Sequence, residues 1–313
     1  MLMAPAARTP TNSDSGPVGG SSETSAHAIR VGLSTSSVYP GTAEDTFALA
    51  AQLGYDGVEV MVWGEKTTQD AGALAALAER HRVSVLAVHA PTLLLTRTVF
   101  GADPWGKVDR SIELARALGA PSVVLHPPFF WQTRYARSFV AGVAQREAAS
   151  GVRLCVENMF TWRPRNAHST RDFQAYFPTW DPVGQGYRSV TLDVSHAATS
   201  GSDALAMARA LGPTLRHVHL TDGVPGFRDD HLLPGQGDQD CAGLLRHLVD
   251  TGFGAGGGQV VVEVNTRTMS VEERWEGLAS ALAFAREHLE GEGNTDAVRV
   301  PAPTRRRYRD ARA

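Results

Sequence analysis

Carboxylates and histidines stand at the ends of the apolar runs of this chain, where they could do chemistry. The clearest case is the segment 188–196, in which a short apolar run ends in Asp193 and His196 follows three residues later. A core that left either group without a hydrogen bond would lose stability, so this pair at the exit of a strand suits a metal ion. A buried hydrogen bond between the two side chains is the alternative, and the pair alone does not decide between them.

The same pattern recurs after most of the other apolar runs, and this recurrence favours the metal. The groups concerned are His89, His126, Glu157, His219 and Glu263. Together with Asp193, this set supplies three carboxylates and an imidazole that would suit a divalent cation such as Mn, Mg, Co or Zn. Without a cation, converging carboxylates would repel one another and their pKa values would rise. The four expected ligands are Glu157, Asp193, His219 and Glu263.

Other histidines and acids leave alternatives open. Asp229 and His231 fall in the loop after the seventh predicted strand, where they could be two more ligands or a solvated loop tip. His89 and His126 could bind another ion, donate to a substrate oxygen or serve the structure. His217 is expected to point away from the lumen, against the helices.

Eight apolar runs, each followed by a helical pattern or a loop, must position these groups. The predicted strands are 29–36, 57–63, 83–89, 122–126, 153–157, 190–192, 215–220 and 259–263. The predicted helices are 43–53, 71–82, 104–118, 135–149, 204–211, 242–250 and 271–289, with a possible short helix near 170–176. Because the strands are continuous apolar runs, both of their faces should be covered.

Eight such units between residues 29 and 290 predict an α/β fold, a closed (β/α)8 TIM barrel. An open doubly wound sheet usually has a glycine-rich phosphate loop after its first strand, and residues 34–40 are not one. In the barrel, the active site lies at the C-terminal mouth, where the polar groups named above also fall. The glycine-rich segment 234–238 leads into a helix with Asp238 and Asp240 at its start, and these acids would repel a phosphate.

Composition narrows the functional class. The net charge of -3 argues against a dedicated nucleic-acid binder. Two cysteines without a Cys-x-x-Cys motif predict a reducing, cytoplasmic location, and no apolar run is long enough to span a membrane. We expect residues 1–28 to be a disordered leader, residues 29–290 the barrel and residues 291–313 a polar, basic tail.

Seven short motifs are similar to those of one known group of barrels. They are Leu-Gly-Tyr-Asp-Gly-Val-Glu (53–59), Val-His-Ala-Pro (88–91), Leu-His-Pro (125–127), Val-Glu-Asn (156–158), Leu-Asp-Val-Ser-His (192–196), His-Leu-Thr-Asp (219–222) and Pro-Gly-Gln-Gly (234–237). Over about residues 29–290 the chain resembles the xylose isomerase-like TIM barrels, also called the AP endonuclease 2 superfamily. It looks most like actinobacterial members described as sugar phosphate isomerases or epimerases.

The resemblance implies two possible metal sites. In the sugar isomerases and epimerases one metal is held by the residues that match the four expected ligands, and the counterparts of Glu157 and Glu263 also act as acid and base. In the endonucleases three zinc ions are held by nine residues, all of which have counterparts here. These nine are His89, His126, Glu157, Asp193, His196, His219, Asp229, His231 and Glu263.

We therefore expect a metal-dependent isomerase or epimerase of a sugar, polyol or sugar phosphate that works through an enediolate. His196 or Arg228 would hold substrate oxygens, and Trp63 is a further candidate for substrate binding. The alternative is a zinc-dependent phosphodiester hydrolase of the apurinic/apyrimidinic endonuclease type with up to three zinc ions, and only then would nucleic acid be a partner. A barrel that binds a small ligand without turnover is a third possibility. The expected partner is a sugar-like small molecule, and no membrane partner is expected. A homodimer is left open as an alternative to a monomer.

Overall fold

Eight parallel strands form one closed barrel in chain order. The computed structural model describes residues 28–91, 98–162, 173–226 and 228–290. The strands are β1 (Arg30–Ser34), β2 (Gly57–Met61), β3 (Ser84–His89), β4 (Ser122–Leu125), β5 (Arg153–Glu157), β6 (Val190–Asp193), β7 (Leu215–Leu220) and β8 (Gln259–Val262). The parallel pairing of β1 with β8 closes the ring. The predicted (β/α)8 TIM barrel is confirmed.

Helices surround the strands, but they do not alternate with them strictly. They are α1 (Ala43–Leu53), α2 (Ala71–His81), α3 (Pro104–Leu118), α4 (Thr133–Ser150), α5 (Val194–Ser200), α6 (Ala204–Leu211), α7 (Cys241–Asp250) and α8 (Val271–Leu289). Among the described residues, β5 is followed by no helix, whereas β6 is followed by two. Residues 173–176, the described part of the possible short helix, form isolated bridges to Trp162 and Phe129 instead.

Helix α5 was not predicted from the sequence, because seven residues are too few to show helical periodicity. Asp193 begins this helix, and its side chain accepts a hydrogen bond from the backbone N–H of His196. The last residue of β6 is therefore also the N-cap of a helix. This arrangement places a carboxylate and an imidazole at the same point of the barrel mouth.

The core lies between the strands and the helices, and the strands are buried on both faces. Neighbouring strand residues such as Val58, Glu59 and Val60 are all fully buried. Because alternate side chains of a strand point to opposite faces, one set fills the barrel and the other packs against the helices. Charged groups on the inner face, such as Glu59, are therefore buried inside the barrel.

Residues 1–27 of the predicted leader and the predicted tail 291–313 lie outside the described residues. Within the described ranges, no helix has the length and apolar character needed to cross a membrane.

Candidate metal centre

Four strands bring the four expected ligands together at the mouth. His219 Nδ1 lies 2.9 Å from Glu157 Oε1 and 2.9 Å from Glu263 Oε2. It also lies 3.5 Å from Asp193 Oδ2. One donor atom from each of the four side chains lies within 4.8 Å of those of the other three, and all four residues are buried. The structure therefore assembles three carboxylates and one imidazole around a single point.

The Asp193 side chain has one oxygen that is available to bind a metal ion. Its Oδ1 accepts from the backbone N–H of His196 at 2.7 Å. Its Oδ2 is buried and accepts no hydrogen bond from any group in the described part of the chain. A buried carboxylate oxygen without a donor is costly. Hard and borderline divalent cations bind such oxygen and imidazole donors, so the residues present fit the expected metal.

A second cluster forms on the other oxygen of Glu157. His126 Nε2 lies 2.9 Å from Glu157 Oε2, and His89 Nε2 lies 3.3 Å from the same atom. Their donor atoms also lie within 4.8 Å of one another. His89 is held from its other side, because its Nδ1 donates to the carbonyl of Ala90 at 3.0 Å. Glu157 thus faces the central set with one oxygen and two more imidazoles with the other.

A third cluster lies over α5, where the loop after β7 folds back onto the mouth. Asp229 Oδ2 lies 3.1 Å from His196 Nε2 and 2.9 Å from His231 Nε2. The hydroxyl of Ser195 donates to the other oxygen of Asp229 at 2.7 Å. The Nδ1 of His231 donates to the carbonyl of Glu263 at 2.9 Å. The three clusters together contain all nine residues that the resemblance to endonucleases singled out.

Electrostatics explain how so many charges share one site. Burial opposes a charged imidazole, but Asp193 and Asp229 outweigh it and raise the pKa of His196 to about 10. Burial likewise opposes ionisation of Glu263, but the facing His219 imidazole outweighs it and lowers the pKa of Glu263 to about 2. Protons on imidazoles such as His196 therefore offset part of the carboxylate charge of the metal-free protein. A cation would displace some of these protons on binding.

Two residues predicted to contact substrate lie outside the three clusters. The Arg228 side chain is 83% exposed, and its Nε lies 3.8 Å from Asp230 Oδ1. Trp63 is partly buried and packs edge-on against the ring of Tyr39, with 4.8 Å between ring centroids. Their roles toward a substrate stay predictions.

The expectation for His217 was wrong. Residues two apart on a strand point to the same face, so His217 lies inside the barrel with His219, and their ring centroids are 4.9 Å apart. Both histidines contact Glu59, a fully buried residue that the sequence analysis did not single out. The signal that could have found Glu59 is a carboxylate in the middle of the apolar run Gly-Val-Glu-Val-Met.

Backbone N–H groups of the glycine-rich loop bind a carboxylate of the protein itself, that of Asp222. The Asp222 carboxylate accepts hydrogen bonds from four backbone N–H groups at 2.8–3.2 Å. These belong to Gly223, Gly235, Gly237 and Gln239. The amides that a phosphate would need are therefore already bound to a side chain of the protein.

The chain is similar in sequence to one protein family and to mycobacterial proteins. The family described as "Xylose isomerase-like TIM barrel" matches residues 47–288. The uncharacterised protein Rv0498 of Mycobacterium tuberculosis is 48% identical over 278 residues, which cover 84% of this chain and 98% of that protein.

Several solved structures share the fold. L-ribulose 3-epimerase superposes with a TM-score of 0.59 at 18% identity, covering 84% of this chain and 95% of its own. A family 2 AP endonuclease from Brucella melitensis gives 0.59 at 20% identity, covering 80% and 97%. The IOLI protein, solved with a bound zinc atom, gives 0.56 at 17% identity, covering 83% and 99%. At these identities the likeness shows the fold and leaves the reaction to the residues of the site.

Proposed function

The chain belongs to the xylose isomerase-like TIM barrel family, and from that premise we propose that it is a metal-dependent isomerase or epimerase of a sugar-like substrate. The observation that carries the proposal is the meeting of Glu157 and Glu263 at one atom, His219 Nδ1, each at 2.9 Å. Two carboxylates at one point can act on two faces of one substrate carbon. The shared fold of L-ribulose 3-epimerase supports this reading.

A divalent ion is the expected cofactor. Glu157, Asp193, Glu263 and His219 would hold it, since their donor atoms converge and Asp193 Oδ2 accepts no hydrogen bond from the described groups. A bound ion would stabilise the negative charge that develops on neighbouring substrate oxygens when a proton leaves the carbon beside the carbonyl.

The two glutamates would move the proton. One carboxylate removes it from the carbon beside the carbonyl, and the other returns a proton to the opposite face or to the neighbouring carbon. Glu263 is oriented by the hydroxyl of Ser36, which donates to its Oε1 at 2.8 Å. Glu157 is oriented by His126 and His89 on its Oε2. We assign the holding of substrate oxygens to His196 or Arg228, and we keep Trp63 as a further substrate-binding residue.

Solvent deuterium exchange tests this proposal. With manganese added, the protein should exchange deuterium from D₂O into the carbon-bound positions of a ketose such as L-ribulose, followed by proton NMR. Glu263→Gln should abolish exchange, because the amide cannot accept the proton. Glu276→Gln, the same change at an exposed residue of α8, should exchange like the wild type. Full exchange by Glu263→Gln would remove the acid/base assignment.

A second function is favoured by one specific observation, the presence of three ligand clusters where an isomerase needs one. The zinc-dependent hydrolysis of a phosphodiester, such as DNA at an abasic site, would use the His89–His126–Glu157 cluster and the cluster around Asp229 as well. Elemental analysis of the purified protein separates the two functions. About one ion per chain supports the isomerase, whereas three zinc ions with cleavage of an abasic duplex support the hydrolase. The predicted cytoplasmic location and homodimer stay predictions.

A further inference from the structure

A buried carboxylate lies directly beneath the candidate metal centre. Glu59 Oε1 lies 2.9 Å from His219 Nε2, and Glu59 Oε2 lies 3.0 Å from His217 Nε2. All three side chains are fully buried. His219 therefore spans two environments, with Nε2 on Glu59 below and Nδ1 among the carboxylates of the mouth.

These contacts determine which nitrogen of His219 is free to bind a metal. A carboxylate only accepts hydrogen bonds, so the imidazole nitrogen that faces Glu59 carries the proton. In the metal-free protein Nδ1 faces carboxylates too and can carry a second proton. Once a cation takes the place of that proton, the neutral imidazole keeps its one N–H on Nε2, and the other nitrogen presents its lone pair. For His219 that nitrogen is Nδ1, the atom on which Glu157 and Glu263 converge.

Stability alone does not account for Glu59. Removing a carboxylate from water costs several kcal/mol, and well-packed apolar residues usually replace a buried ion pair without loss. The β2–β3 register also shifts between Val58 and Glu59, and irregularities of this kind re-aim side chains near functional sites.

We propose that Glu59, braced by His217, is a positioning residue that holds His219 in the tautomer whose Nδ1 binds the metal. This inference rests on the proposed metal-dependent function. His217 acts through Glu59, because its Nε2 faces the carboxylate oxygen that His219 does not use. Neither residue contacts the substrate in this scheme.

Zinc binding by calorimetry tests the proposal. Glu59→Gln should bind zinc 10- to 100-fold more weakly than the wild type, the range typical of a lost partner to a metal-binding histidine. The matched control is Tyr55→Phe, which removes a buried hydrogen bond from Tyr55 Oη to the carbonyl of Leu278 outside the barrel interior. This control should be less stable than the wild type but should bind zinc equally well.

Histidine ¹⁵N NMR of the zinc-loaded wild type shows which His219 nitrogen carries the proton. A purely structural role of Glu59 makes no prediction about that nitrogen. The His219 signals should report a protonated Nε2 and a metal-bound Nδ1. A protonated Nδ1 would overturn the proposal, even if Glu59→Gln failed to fold. Equal zinc affinity in Glu59→Gln and the wild type would also overturn it, as would an equal loss in Tyr55→Phe. If the wild type itself binds no zinc or manganese, the proposed metal-dependent function fails together with the inference.

Discussion

Two aspartates at the ends of adjacent strands are used in opposite ways. Asp193 ends β6 and Asp222 follows β7, and both are fully buried. The two oxygens of Asp222 accept four backbone N–H bonds. Asp193 accepts one backbone bond on Oδ1, while its Oδ2 accepts none from the described residues.

The difference separates a structural carboxylate from a ligand carboxylate. Asp222 has every hydrogen-bonding need met, and it ties the glycine-rich loop to the barrel. Asp193 is fixed by one oxygen and presents the other to the point where Glu157, His219 and Glu263 meet. A buried oxygen without a donor destabilises the metal-free fold, and a bound cation would remove that cost. We expect the first aspartate to govern stability and the second to govern metal affinity.

The largest expected effect is that of Asp222→Ala. The change leaves four loop N–H groups without their acceptor, and bonds to a charged group are the stronger kind. The free energy of unfolding should fall by about 4 kcal/mol or more, as measured by urea denaturation. A loss below about 1 kcal/mol would mean that water replaces the carboxylate and that Asp222 is not structural.

Asp193→Asn should weaken zinc binding and leave stability nearly unchanged, the reverse of Asp222→Ala. Asparagine keeps an oxygen for the helix cap but loses the charge at the central set, so zinc affinity should fall by about 100-fold or more with little change in stability. Asp203→Asn is the matched control, because Asp203 caps α6 through the backbone N–H of Ala206 in the same way. This control should bind zinc normally. Wild-type affinity in Asp193→Asn would contradict the ligand role.

Added zinc should increase the stability of the wild type much more than that of Asp193→Asn. Zinc at about 100 times its dissociation constant should stabilise the wild type by about 2.7 kcal/mol, seen as a higher melting temperature that EDTA reverses. Asp193→Asn should gain little at the same concentration. A melting temperature that zinc raises equally in both proteins would place the ion elsewhere.

The sequence indicated the barrel and the ligand ends of its strands, but it did not distinguish these two aspartates. Both follow an apolar run, and what sets Asp222 apart are amides 13–17 residues later in the chain, at Gly235, Gly237 and Gln239. Such partners depend on how a loop folds back. Helix α5 was missed because it is short. His217 was misplaced although the two-residue period of a strand was sufficient to place it.

Periodicity and strand ends therefore predict where polar groups gather, while the partners of each group come from the fold. Glu59 illustrates the limit. Its position in an apolar run marks it as unusual, but its contacts with His217 and His219 join strands separated by about half of the chain. Glu59 and His219 are 160 positions apart. Only closure of the barrel brings them together.

The smallest expected effect is that of Ser36→Ala, which removes one of the contacts that orient the carboxylate of the expected ligand Glu263. The Ser36 hydroxyl donates to Glu263 Oε1 at 2.8 Å, while Oε2 faces His219. Ser36→Ala removes one hydrogen bond worth about 1 kcal/mol, so zinc affinity should fall by about fivefold. Ser280→Ala, which removes a hydroxyl bonded to the carbonyl of Gly277 on α8, should leave zinc affinity unchanged. A loss as large as that of Asp193→Asn would instead make Ser36 essential to the site, since the orientation of Glu263 would then depend on that one bond.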